Sequence, residues 1–425
     1  MKKVLKFIVL ALVAFMLVGC TNNGGGNEGG KEETAAAQEI VFWHTLTDHE
    51  FEMVQEIVDA FNAEYEGTYH VTHETQPLDG FTSKVYEAVT NGVGPNIVWL
   101  YPNTANIYVE EGLSLDYSQY WTDADYKNRV EAGVYNACTD YTDGGMHAAI
   151  ATITGSIMFY NKELLEKYNL EIPQTWDELL AACKTVVDGE KAEGKDIMGF
   201  GPDSVDTLAI IALQQLGYNY IENNKTNGWT SDEFVNWVNW WKEAEKAGYF
   251  QLVDSEGYHS GPFGSQHYFC YMGSSAGLGY ITPDGFTIVT GPVPQVDTTK
   301  PYTEITTRAL VSFKEDEATD AGTAEFVKFF VKAEYNLPFC QKYSASTPFS
   351  DVQATPEYQE YFNASIAQQA LTEMLPFAGT RANVANGSSA DEALKAALRT
   401  AIIDDADTLE TLTNAAATAD AALAE

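Results

Sequence analysis

Glu39-Ile40-Val41-Phe42-Trp43-His44 is a short apolar run that turns polar at its end, and its reading decides the fold. It reads as a buried strand. Phe51, Val54, Ile57, Val58 and Phe61 follow at helical spacing, so the strand leads into an amphipathic helix. Tyr69–His73 alternates like a second strand. A helix spans about 81–90 and stops at Asn91-Gly92, and Asn96–Tyr101 reads as a third, buried strand. This alternation predicts an α/β fold with mostly parallel sheet flanked by helices.

Further along, Met146–Ile153 and Ser156–Tyr160 read as two short strands, and Asn161-Lys162-Glu163-Leu164-Leu165 opens a helix. Thr175 and Glu178 stand three apart before an apolar run, the signature of a capping box. Helices are expected over about 204–216, 231–247 and 323–331, a crossing strand at Phe286–Val289, a break at Ser346-Thr347-Pro348, and a largely helical end. There is no internal repeat.

The start of the chain speaks to location. Lys2, Lys3 and Lys6 precede an unbroken apolar run from Phe7 to Val18, and Leu17-Val18-Gly19-Cys20 follows. A basic start, a short apolar stretch and small residues at the cut mark an export signal. The run falls short of the roughly 20 residues a membrane span needs. The Leu-x-Gly-Cys ending resembles a bacterial lipobox, which implies cleavage after residue 19 and a lipid on the Cys20 sulfur. Residues 20–38, rich in Gly, Asn, Glu and Ala, read as a flexible leash. The expected product is exported and held on the outer face of the membrane through Cys20.

Residues 39–425 exceed the roughly 150 that one domain usually takes, so two lobes are expected. Apolar content of 45%, with 24 Tyr, 21 Phe and 8 Trp, fits a globular protein. The 61 acidic and 24 basic residues give a net charge of -37, which repels phosphate backbones and sets nucleic acid aside. The same charge favours solubility and a monomer. Beyond Cys20, the cysteines at 138, 183, 270 and 340 are isolated, with no C-x-x-C pair to suggest zinc. Export permits disulfides, but apolar neighbours favour small buried thiols.

Several patterns suggest chemistry and fail on inspection. Gly273-Ser274-Ser275-Ala276-Gly277 matches the nucleophile elbow of hydrolases, whose catalytic histidine follows the serine. All seven histidines (44, 49, 70, 73, 147, 259, 267) precede Ser275, so the base is missing and the turn reads as a polar-ligand loop. Gly189 to Asp196 nearly matches a phosphate loop, but Asp196 replaces the magnesium-binding hydroxyl. His70 and His73 fall on opposite faces of their strand, and His44 and His49 flank a turn, so these four read as surface or lining histidines. No metal site, catalytic group or cofactor is expected. Trp237, Trp240 and Trp241 form a helical stripe of core type. Trp43, Trp99, Tyr101 and Trp229 lie at strand ends or loops, where rings can stack on sugars. Arginine occurs only at 129, 308, 381 and 399. Arg381, after a turn-rich stretch, could grip a phosphate or carboxylate in two places or make a structural salt bridge between lobes.

The lipoprotein-type start, Ile40–His44, Ala60-Phe61-Asn62, Gly92–Val98, Met158–Leu164 and Pro173-x-Thr175-Trp176-Asp177-Glu178-Leu179 together resemble the extracellular solute-binding proteins of carbohydrate ABC importers. Within that family Phe42-Trp43-His44, Tyr101, Ser274-Ser275 and Leu375 to Arg381 resemble the glycerol-3-phosphate-binding members. Pro102 stands where those members carry an acidic residue, their paired tryptophans are replaced near Pro202-Asp203-Ser204, and their Gly-Tyr-Leu-Pro turn is Ala345-Ser346-Thr347-Pro348. The resemblance implies a two-lobed periplasmic-binding-protein-like fold of type II, with lobes at 39–148 plus 290–345 and 149–289 plus 346–425, joined by crossing hinge strands. It implies a cleft lined by His44, Asp48, Tyr101, Asn103, Thr154, Trp229, Ser274, Ser275 and Arg381, binding without chemistry. The expected function is capture of a carbohydrate or polyol for the transmembrane subunits of an ABC permease. Glycerol 3-phosphate or a glycerophosphodiester is the alternative ligand, and an exported hydrolase the disfavoured alternative class.

Overall fold

The computed structural model describes residues 37–424 apart from 78–79, 254–256 and 385. The export signal, Cys20 and nearly all of the expected leash lie outside the described residues; Gln38, the last leash residue, already opens the first strand.

Among the described residues nine strands run in chain order: β1 Gln38–His44, β2 Tyr69–Thr75, β3 Ile97–Leu100, β4 Ala149–Asn161, β5 Met198–Pro202, β6 Tyr268–Ser274, β7 Ile288–Gly291, β8 Thr303–Ser312 and β9 Ala378–Gly379. They lie side by side in the order β2-β1-β3-β8-β4-β6-β5, with β7 pairing β4 and β9 pairing β8. A mostly parallel sheet was expected, and the sheet is mixed. β1 is parallel to β2 and β3, and β5 to β6, whereas β3–β8, β8–β4, β4–β6 and β4–β7 are antiparallel. Helical crossovers keep the outer strands parallel; β4 and β8, which run through the middle, reverse direction.

β4 corrects a second expectation. The two short strands foreseen between 146 and 160 form one strand of 13 residues. Its first half, Ala149–Gly155, pairs β8, and its second half pairs β6 from Ser156 and β7 from Met158. Thr154-Gly155 separates the two runs in the sequence. Gly155 is instead a close crossing: a Cβ there would sit 2.7 Å from Leu371 Cδ1 and 3.3 Å from the Glu304 carbonyl oxygen. One strand thus belongs to both halves of the sheet.

Local signals behave as read. The helix Asp48–Glu64 buries Met53, Val54, Ile57, Val58 and Phe61 against the sheet. The helix Trp176–Ala192 starts with the full capping box, Thr175 Oγ1 accepting from the Glu178 N–H and Glu178 reaching back to the Thr175 N–H. Such a cap stabilises by about 1 kcal/mol. Trp241 is fully buried among Trp176, Phe200 and Phe250, with Trp237 and Trp240 half-buried beside it. The last segments, Gly387–Ile402 and Thr408–Leu423, are helices as expected. Cys138, Cys183, Cys270 and Cys340 are buried free thiols.

Candidate ligand-binding site

In open α/β sheets ligands lie beyond the carboxyl ends of strands. β1 ends at His44 and leads to the start of the helix Asp48–Glu64, where Asp48 takes a left-handed φ of 48°. That backbone is uncommon for a residue other than glycine. β3 ends at Leu100, which faces Ala309 of β8. The next residues on each strand, Tyr101 and Arg308, stack: the guanidinium carbon lies 3.8 Å from the ring centroid. Tyr343, at the end of the helix Ala333–Lys342, closes this wall. Burial raises the pKa of its hydroxyl, Arg308 opposes the rise, and Tyr101 and Glu50 add to it.

The other wall follows β6. Ser274 Oγ caps the turn Ser275–Tyr280 by accepting the Ala276 N–H at 3.3 Å. Tyr280 at its end is 74% exposed, and Tyr258 nearby is 69% exposed. Burial of the Tyr280 hydroxyl raises its pKa, and Glu50, Asp48 and Tyr258 raise it further. These charges can act on Tyr280 only if the turn after β6 lies close to the first turn of the helix Asp48–Glu64. Ser344 Oγ likewise lies 3.7 Å from where a Cβ on Gly279 would stand. The walls therefore carry exposed rings (Tyr101, Tyr258, Tyr280), two carboxylates (Asp48, Glu50), hydroxyls (Ser274, Ser344) and one guanidinium. Such a surface stacks on C–H faces and hydrogen-bonds hydroxyl groups.

The sequence-derived candidates divide. Asp48, Tyr101, Asn103 and Ser274 lie at or near this surface. The others are engaged in the interior. His44 is fully buried, not a surface or lining histidine: its Nδ1 accepts the Leu46 N–H at 3.2 Å, so its Nε2–H donates to His73 Nδ1 at 2.9 Å, and His73 Nε2–H donates to Gln55 at 2.9 Å. Burial, then the neighbouring His73, holds His44 down at about 3. Thr154 Oγ1 donates to the Thr306 carbonyl at 3.2 Å, and the buried Ser275 Oγ accepts the Gly155 N–H at 3.3 Å. Both tie β4 to its neighbours. Trp229 is 1% exposed, with its indole N–H bound to the Tyr220 carbonyl at 2.8 Å, so its ring is a packing element.

Arg381 is the largest correction. Its guanidinium meets Asp391 at 2.8 Å, Asp206 at 2.9 Å and Glu304 at 3.1 Å, and also donates to Thr207 Oγ1 at 2.7 Å. Every edge of the fork is taken, so the structural salt bridge is what forms. One positive charge serves three carboxylates, and burial pushes Glu304 up to about 7 in spite of Arg381. Arg308, Glu50, Tyr258, Tyr280 and Tyr343 were missed. Arginine's scarcity flagged Arg308, but only β3–β8 pairing sets it beside Tyr101.

Among the described residues no group of His, Cys, Asp or Glu is placed to hold a metal ion, and no helix is long and apolar enough to cross a membrane.

Comparison with known proteins fits this geometry. Residues 56–365 match the family model described as bacterial extracellular solute-binding protein, and the chain belongs to that family. Its members bind solutes; they are not enzymes. The fold is similar to three solved structures. The cyclic α-maltosyl-1,6-maltose binding protein of Arthrobacter globiformis matches with a TM-score of 0.78 at 19% identity, over 91% of this chain and 99% of that one. UgpB of Mycobacterium tuberculosis, solved with glycerophosphocholine, matches with 0.77 at 16%, over 92% and 99%. The sugar-binding protein MalE of Xanthomonas citri matches with 0.77 at 16%, over 91% and 98%. The fold is thus the two-lobed periplasmic-binding-protein architecture, with β4 and β8 running through its middle.

Proposed function

We propose that the protein is a lipid-anchored receptor that captures a carbohydrate or related polyol between its lobes and hands it to the membrane subunits of an ABC importer. The observation that carries this reading is the set of exposed rings, Tyr101, Tyr258 and Tyr280, with the Asp48 and Glu50 carboxylates and the Ser274 and Ser344 hydroxyls, on the segments that follow β1, β3 and β6 and on the loop before the helix Ser260–Gly264. We place the lobes at 39–148 plus 290–345 and 149–289 plus 346–425. The ligand touches both only when they close, and by that difference in contact it shifts the hinge equilibrium. Membrane attachment is assigned to Cys20, and the working form to a monomer.

A glycerophosphodiester is the second reading, favoured by the likeness to the UgpB structure with glycerophosphocholine. It was to rest on Arg381, whose fork is occupied by Asp206, Glu304 and Asp391. A thermal-shift screen of sugars, polyols and phosphorylated glycerols tests the choice, because a solute bound only by the folded form raises the melting point by mass action. A rise with a saccharide is expected. A rise with glycerophosphocholine alone would replace the first reading with the second. Mass spectrometry of membrane-extracted protein checks for the lipid on Cys20.

A further inference from the structure

Three of the four arginines have their partners. Arg129 meets Asp351 at 3.0 Å and the Val331 carbonyl at 2.9 Å, Arg399 donates to the Val253 carbonyl at 2.7 Å, and Arg381 holds its three carboxylates. Arg308 differs. Among the described residues its side chain makes no hydrogen bond and no ion pair, although it is half-buried in a chain of charge -37. Its contact is the Tyr101 ring, 3.8 Å away. Stacking occupies a face of the guanidinium and leaves its N–H edges in the plane, pre-set for two parallel hydrogen bonds. It stands on β8, opposite Thr152 of β4, where the two halves of the sheet meet.

We propose that Arg308, held flat on Tyr101, is the arm that orients the ligand by donating to two adjacent ligand oxygens. The inference rests on the receptor reading above and names the group that selects within it. The oxygens can be vicinal hydroxyls of a sugar or the free oxygens of a phosphodiester. Asp48 and Glu50 decide between them, since neither has a cation within 4 Å among the described residues, and both act on Tyr280. A hydroxyl can accept from Arg308 and donate to a carboxylate at once. The phosphodiester group itself only accepts, and without a cationic headgroup to offset its charge it would meet the carboxylates as like charge. The site therefore takes the neutral, polyhydroxylated ligand.

Calorimetry of the full chain with maltotriose and with glycerophosphoglycerol, an anionic phosphodiester, for wild type and Arg308→Lys, tests this. Lysine keeps the charge and removes the planar fork. We expect maltotriose to bind, and Arg308→Lys to weaken it about 10- to 100-fold, the size of a lost hydrogen bond to a charged group, with the melting point of the free protein unchanged. Equal affinity in wild type and variant overturns the role of Arg308 while leaving the receptor reading intact. Binding of glycerophosphoglycerol in place of maltotriose overturns the neutral-ligand assignment, and binding of neither overturns this inference, while the receptor reading falls only if the whole thermal-shift screen gives no rise. Phenylglyoxal labelling of wild type, mapped by mass spectrometry, needs no variant: Arg308 should react ahead of Arg129, Arg381 and Arg399. Faster labelling of Arg381 would contradict the assignment.

Discussion

Arg381 and Arg308 both lie beside β8, and they do opposite work. Arg381 is gripped by Asp206, Glu304 and Asp391, which come from the helix Val205–Gln215, from β8 and from the helix Gly387–Ile402. Arg308, four residues along β8 from Glu304, is stacked on one ring with its edges open. A guanidinium whose fork is filled by its own protein builds structure; one whose fork is empty can receive a guest. Sequence composition treats the two alike, and only their surroundings separate them.

Breaking the filled site should have the largest effect. Arg381→Ala leaves three carboxylates facing each other in the interior, and removal of one partner from a buried ion pair costs about 3–5 kcal/mol. Denaturant unfolding of the variant measures this. A loss below about 1 kcal/mol, the ceiling for exposed pairs, would mean that the cluster contributes as a surface bridge does.

Gly155 tests the joint beside that cluster, where β4 passes Glu304 and Leu371 closely. Gly155→Ala should destabilise by about 1–3 kcal/mol through overpacking, seen as a lower melting temperature. An unchanged melting temperature would show that Leu371 yields without cost.

The pH dependence sharpens the contrast further. Glu304 is raised from 4.5 to about 7, chiefly by burial, so the folded protein holds a proton there that the unfolded chain releases. Its contribution is complete below about 4.5 and is lost as pH rises through about 7. Glu304→Gln should therefore flatten that decline, whereas Arg308→Lys should leave the profile unchanged. At the other end of the range, burial lowers His44 to about 3 and lowers His73 as well. The His44 contribution is complete above the unfolded value of 6.5 and is lost on acidification toward about 3, and that of His73 is lost in the same direction. His73→Asn should shift the acid-unfolding midpoint slightly, the smallest of these effects, read by far-UV circular dichroism against pH.

How legible each feature was in the sequence follows from the range of the interactions behind it. The helix Asp48–Glu64, the Thr175–Glu178 cap and the buried thiols were readable because residues within a few positions set them. The continuity of β4 was not, since Gly155 is small for a reason that lies in Glu304 and Leu371, far along the chain. The same distance hid the make-up of the candidate surface. Arg381 finds its carboxylates 175, 77 and 10 residues away, so nothing local announced that its fork was full. Trp229 and Tyr280 both stand in loop-like sequence, yet one ring is 1% exposed and the other 74%. Ring type and neighbours in sequence do not carry that difference; packing does. The four candidates that lie at the surface, Asp48, Tyr101, Asn103 and Ser274, sit close to strand ends or a helix start, as do the buried His44 and Ser275, so position along the strand does not separate them.

Small-angle scattering of the full chain, with and without a saturating saccharide from the thermal-shift screen, tests the central claim most directly. Closure of two lobes around a bound solute predicts a smaller radius of gyration with ligand, and recovery of the saccharide unchanged. A radius that stays the same at full saturation, or a saccharide recovered as product, would contradict the account.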